Sequence, residues 1–173
     1  KKEKGDLNGA LLDLDACLKH APNFAFALSW RGKVMKDKGD LDGALLDFDA
    51  ILKLDPNNAF ALSQRGLAKK EKGDLDGAIH DFDSRLKLNP NHAWTLSRRG
   101  LAKKEKGDLN GALLDLDACL KHAPNFAFAL SWRGKVMKDK GDLDGALLDF
   151  DAILKLDPNN AFALSQRGLA KKE

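Results

Sequence analysis

Residues 65–90 read RGLAKKEKGDLDGAIHDFDSRLKLNP. The stretch holds a Gly-Asp pair, an apolar run in a polar background and a Pro, but no group that announces catalysis. Its meaning comes from recurrence. The prolines Pro22, Pro56, Pro90, Pro124 and Pro158 stand 34 residues apart. The same interval separates Gly5, Gly39, Gly73, Gly107 and Gly141, each followed by Asp, and the alanines Ala10, Ala44, Ala78, Ala112 and Ala146. Arg-Gly pairs beginning at Arg31, Arg65, Arg99, Arg133 and Arg167 keep it too. A fixed period of about 20–50 residues marks an array of stacked supersecondary units. The stretch is a building block.

Each block reads as two helices. In the second helix, Leu7, Ala10, Leu11, Leu14, Cys17 and Leu18 follow helical spacing and make one apolar face. Gly5 supplies a left-handed residue that stops the preceding helix, and Asp6 caps the next with its carboxylate. Pro22 and Asn23 end the second helix and turn the chain. The first helix, about Ala59 to Lys72, carries Gly66 in its middle. A mid-helix Gly costs about 1 kcal/mol relative to Ala, so its recurrence predicts a neighbouring helix packed too closely for a side chain. The recurrent Arg lies in that seam and calls for a carboxylate. Arg65 is expected to pair with Asp81 or Asp47.

At this point the block resembles the tetratricopeptide repeat, a 34-residue helix–turn–helix unit. Counted from Ala59, Gly66, Ala78, Phe82 and Pro90 fall where that family places its Gly, Ala, aromatic and Pro. The resemblance implies an all-α fold, a right-handed α-α superhelix of antiparallel helix pairs. It covers the whole chain as a single solenoid: partial repeat 1–24, full repeats 25–58, 59–92, 93–126 and 127–160, and partial repeat 161–173. The chain departs from the family pattern in having no Tyr and in placing Arg where an apolar residue is usual. Residues 1–71 and 103–173 are identical. Natural repeats drift at surface positions, so this second period reads first as deliberate concatenation, with a very recent duplication or an idealised periodic array as the other readings.

Composition narrows the function. The chain has 173 residues with 29 basic against 26 acidic side chains, a net charge of +3 with interleaved signs. A nucleic-acid binder carries a one-sided basic footprint, so no nucleic-acid partner is expected. No apolar run approaches the roughly 18 residues a membrane span needs, and the N-terminus has no signal-peptide core. A cytoplasmic location and no membrane partner are expected. The chain opens without Met, as a fragment does.

Chemical motifs are weak. DKGDLDGALLDFD, residues 37–49, imitates a calcium loop, but Lys38 stands at a first-ligand position that needs a carboxylate. Cys17 with His20, and Cys119 with His122, offer two ligands where structural zinc normally takes four. The Asp-x-Asp pairs such as Asp81 and Asp83 recur in every second helix, which argues for architecture rather than acid–base chemistry. No enzyme activity, no metal and no cofactor are expected.

The informative stripe lies on the first helix. Phe26, Trp30 and Lys33, then Phe60, Gln64 and Leu67, then Trp94, Arg98 and Leu101, then Phe128, Trp132 and Lys135 repeat along one side. The resemblance implies that this face lines the concave surface where partners bind, making the chain a non-catalytic scaffold for a protein or peptide. A Lys row (Lys36, Lys70, Lys104, Lys138) accompanies the aromatics and suits an apolar or mixed peptide. The family's carboxylate clamp is not carried over, because Trp30, Gln64, Lys33 and Leu67 hold its Asn positions. The alternative is a structural or engineered self-assembling array with no dedicated ligand. KKE stands at both chain ends in the same repeat position, so head-to-tail stacking through the ends is a further expectation.

Overall fold

A computed structural model describes residues 6–172. Among these it has ten α-helices and no strand. They are α1 (Leu7–His20), α2 (Ala25–Asp37), α3 (Leu41–Leu54), α4 (Ala59–Glu71), α5 (Leu75–Leu88), α6 (Ala93–Glu105), α7 (Leu109–His122), α8 (Ala127–Asp139), α9 (Leu143–Leu156) and α10 (Ala161–Ala170). Odd-numbered helices are the second helices of the repeat and even-numbered ones the first. The helices fall into two compact units, residues 1–88 and 89–173. In the first unit α1 to α5 each pack on the next, and α2 also meets α4. In the second, α6 to α10 do the same, with α6 against α8 and α8 against α10. This is the nearest-neighbour packing of an all-α helical-repeat solenoid. The expected helix end at Lys1–Lys4 and Gly5 lies outside the described residues.

The helix boundaries follow from capping chemistry. Gly39 adopts φ 89° and its equivalents Gly73, Gly107 and Gly141 adopt 86°, 91° and 84°, a left-handed region that side chains rarely enter. The Gly39 N–H donates to the Lys36 carbonyl at 2.9 Å, and the Asp40 N–H donates to the Met35 carbonyl at 2.9 Å. That pair of hydrogen bonds closes α2. The Asp40 carboxylate then accepts from the Gly43 N–H at 2.9 Å and opens α3. The carboxylate that imitated a calcium ligand is thus a helix cap. Among the described residues no group of three or more His, Cys, Asp or Glu is arranged to hold a metal ion.

Three of the mid-helix glycines sit against aromatic rings. A Cβ on Gly32, Gly66 or Gly134 would lie 2.8 Å from Cε1 of Phe48, Phe82 or Phe150 respectively. All three rings are fully buried. At these three positions the close neighbour is a side chain of the partner helix; at Gly100 a Cβ would meet Leu116 at 3.1 Å and the Ala112 carbonyl oxygen at 3.2 Å.

Arg31, Arg65 and Arg133 each bind two carboxylates, while Arg99 binds Asp115 and Arg167 binds Asp151. Arg65 donates through Nε and Nη2 to Asp81 at 2.8 and 2.6 Å, and through Nη1 to Asp49 at 2.6 Å. Arg31 repeats this with Asp47 and Asp15, and Arg133 with Asp149 and Asp117. The expected Asp81 partner is found; Asp47 is not the second one, which is Asp49. Two residues apart on a helix are about 200° apart around it. Asp47 therefore turns inward to its own block's Arg31, while Asp49 turns outward to the Arg of the next block.

Candidate partner-binding surface

In the first unit the stripe on α2 is open. Phe26 is 62% exposed and Trp30 46%. Their rings meet edge-on with centroids 6.2 Å apart, and Phe24 extends the row at 5.9 Å from Phe26. Lys33 holds its ammonium 5.9 Å from the Trp30 ring centre and pairs with Asp37 at 2.9 Å. An apolar cleft of about 370 Å³ opens beside these rings, lined by Ala10, Asp13, Leu14, Phe26, Trp30 and Val34. On the adjoining α4, Phe60 is 41% exposed, and Gln64 and Leu67 are half-buried.

In the second unit the same sequence has a different cover. Phe128, Trp132 and Lys135 on α8 are half-buried, as are Trp94 and Arg98 on α6. The Arg98 guanidinium stacks 4.1 Å from the Phe128 ring centre and 5.2 Å from that of Trp94. Its Nε is buried without a hydrogen-bond partner, and burial lowers its pKa from the usual guanidinium range. Lys135 lies 4.7 Å over Trp132. Phe126 joins Phe128 at 6.0 Å, and Phe128 meets Trp132 at 6.2 Å. Leu101 is only 4% exposed, so it supports this face from beneath instead of lining it.

The lysine row is largely neutralised. Lys36 pairs with Asp37 at 3.4 Å and Glu71 at 3.8 Å, and Lys104 pairs with Asp139 at 3.0 Å. Phe24 and Phe126 were missed in the sequence reading. The signal was available: Asn58 and Asn160 cap the helices that follow them through Ala61 and Ala163, and a Phe at that repeat position gives up the cap. Burial pushes the Cys119 thiol up to about 11, so it is unreactive near neutrality.

A family model described as tetratricopeptide repeat matches residues 25–58 and 127–160. No curated protein matches the chain. Among solved structures, a tetratricopeptide repeat protein from Parabacteroides merdae ATCC 43184 is similar with a TM-score of 0.86 and 24% identity, over 98% of this chain and 68% of that one. YrrB, described as a TPR protein with an unusual peptide-binding site, gives 0.75 and 21% over 92% and 82%. The first TPR of Spaghetti (RPAP3), bound to the HSP90 peptide SRMEEVD, gives 0.64 and 22% over 66% and 90%. At these identities the likeness is one of fold. Residues 25–58 and 127–160 are thus matched as tetratricopeptide repeats, and the other blocks keep the same 34-residue register.

Proposed function

We propose that the chain is a non-catalytic interaction scaffold that binds a peptide segment on the first-helix face. The supporting observation is a row of aromatic rings flanked by cations in each unit, open in the first and half-buried in the second: Phe24, Phe26 and Trp30 with Lys33, and Phe126, Phe128 and Trp132 with Lys135 and Arg98. Rings left half in water on rigid helices are interface anchors, because burying them releases apolar surface at little conformational cost. Binding of peptides by YrrB and by the RPAP3 repeat, as their descriptions state, supports the same use of this fold. The Arg98 guanidinium, stacked on Phe128 and Trp94, favours a segment that sets an acidic side chain beside an apolar one.

A peptide display screen followed by titration calorimetry tests the reading. Trp30→Ala and Trp132→Ala should each weaken a selected peptide roughly 30-fold, about 2 kcal/mol. Neither should move the thermal midpoint by more than about 4 °C. Failure to select any saturable binder, or variants that unfold instead of losing affinity, would count against it. The rival array without a dedicated ligand is supported by the identity of residues 1–71 and 103–173 and predicts no binder.

A further inference from the structure

The opposite surface, on the second helices, carries leucines that packing does not explain. Leu12 on α1 and Leu46 on α3 are 71% and 72% exposed, and Leu114 on α7 and Leu148 on α9 are 71% and 72% exposed. Isolated exposed leucines need no account. These stand at one repeat position, each in the centre of an outward stripe with a fixed order of charge. On α3 the stripe reads Asp42, Leu46, Asp49, Lys53; on α9 it reads Asp144, Leu148, Asp151, Lys155. On α1 and α7 an Asn replaces the first Asp, and Lys19 and Lys121 close the stripe. Beside Leu12 lies a recess of about 460 Å³, lined by Asp15, Ala16, Leu18, Pro22 and Arg31 among others. Leu148, Asp151, Leu154, Lys155 and Arg167 line its counterpart.

We propose that the outer face of each unit is an interface with a second copy of the same chain, helices running antiparallel. Each stripe is acidic or amide-bearing at its N-terminal end and basic at its C-terminal end. Parallel pairing would set Asp42 against an acidic end and Lys53 against a basic one. Antiparallel pairing sets Asp42 of one copy opposite Lys53 or Lys19 of the other and opposes the helix dipoles favourably. It also brings the central leucines together over the neighbouring recesses. A two-fold axis between two such helix pairs makes the contact self-complementary. Asp42 already pairs with Lys72 and Asp49 with Arg65. The stripe's carboxylates are thus held in place, and Lys53 and Lys155 stand exposed at its basic end. The patch is small beside a stable interface of roughly 1,600 Å², so association is expected with a dissociation constant on the order of 10⁻⁴ M.

Sedimentation velocity from about 10 µM to about 1 mM reads it, the range that brackets that constant. The weight-average coefficient should rise toward that of a dimer. A variant with Leu12→Gln, Leu46→Gln, Leu114→Gln and Leu148→Gln keeps its helicity, because these side chains lie in water. It should need at least tenfold more protein for the same rise. Lys53→Glu with Lys155→Glu should weaken association similarly, and adding Asp42→Lys and Asp144→Lys should restore it, since swapping both ends preserves antiparallel matching. A chain that stays monomeric throughout overturns the proposal. So does association that survives the leucine substitutions, which would place the contact at the chain ends, or association abolished by Trp30→Ala, which would place it on the peptide face.

Discussion

Gly66 and Gly168 hold the same place in the repeat, yet a methyl group would meet different surroundings. At Gly66 the added Cβ lies 2.8 Å from Phe82 Cε1, while at Gly168 nothing stands within 4 Å. Replacing Gly by Ala in a helix gains about 1 kcal/mol when space allows. At Gly66 the fully buried ring has nowhere to go, and overpacking of this kind costs about 1–3 kcal/mol. Gly66→Ala should therefore lower the urea midpoint and Gly168→Ala should raise it, an opposite pair that urea titrations read directly. The Arg seam gives a second contrast. Asp81 is fully buried, whereas the Asp49 side chain is 57% exposed. Arg65→Ala leaves the buried carboxylate with Lys69 at 2.9 Å and the His80 ring nitrogen at 3.8 Å, and should cost about 3 kcal/mol. Asp49→Asn should cost under about 1 kcal/mol. The same seam sets a pH sign. Hydrogen bonds from Arg65 to Asp81 raise the Arg pKa further above its ordinary value, against opposing desolvation. A raised basic pKa gives stability that is complete below the unfolded value and lost only as pH rises through that range. Arg65 thus contributes no pH dependence near neutrality.

Helix ends show which parts of this fold a sequence can display. The Gly-Asp boundary is legible because both of its bonds are local: Gly39 closes α2 and Asp40 opens α3 within four residues. The other boundary is equally local and exposes a concession. Phe126 sits in extended geometry, φ −77° and ψ 93°, close to Asn160 at −64° and 99°, but makes no side-chain cap. Phe126→Asn should then stabilise the protein by about 1 kcal/mol while removing one ring from the proposed peptide-binding row. A higher thermal midpoint with weaker peptide binding is the expected result. If the substitution leaves both unchanged, Phe126 serves neither role. What the sequence could not show is cover from another block. Phe26 and Phe128 lie in identical stretches, yet Phe26 is 62% exposed while Arg98 lies 4.1 Å across Phe128. Leu101 followed the same stripe as Gln64's neighbour Leu67 and is buried. Helical phase places a residue on a face; only the neighbouring helix decides whether that face is open. The Asp49-for-Asp47 exchange has the same origin, since it depends on which block each side of the helix turns toward.

Across the whole chain, each described contact between helices joins neighbours in order or first helices of adjacent repeats. Stability in such an array is a sum of repeat terms and nearest-neighbour terms, and the chain needs no distant closure to form them. The exact sequence repetition turns this into a controlled experiment. Gly32 and Gly134 face Phe48 and Phe150 at the same 2.8 Å in separate compact units. Gly32→Ala and Gly134→Ala therefore inflict the same local overpacking on two copies of one sequence. Hydrogen exchange followed by mass spectrometry should show Gly32→Ala lowering protection most in α2 and α3, with α8 and α9 changed less. Gly134→Ala should give the mirror pattern, since opening in such arrays proceeds in local cooperative units. If either substitution lowered protection equally over all ten helices, the chain would unfold as one block, and nearest-neighbour coupling would be too strong for the repeats to act as separable binding modules.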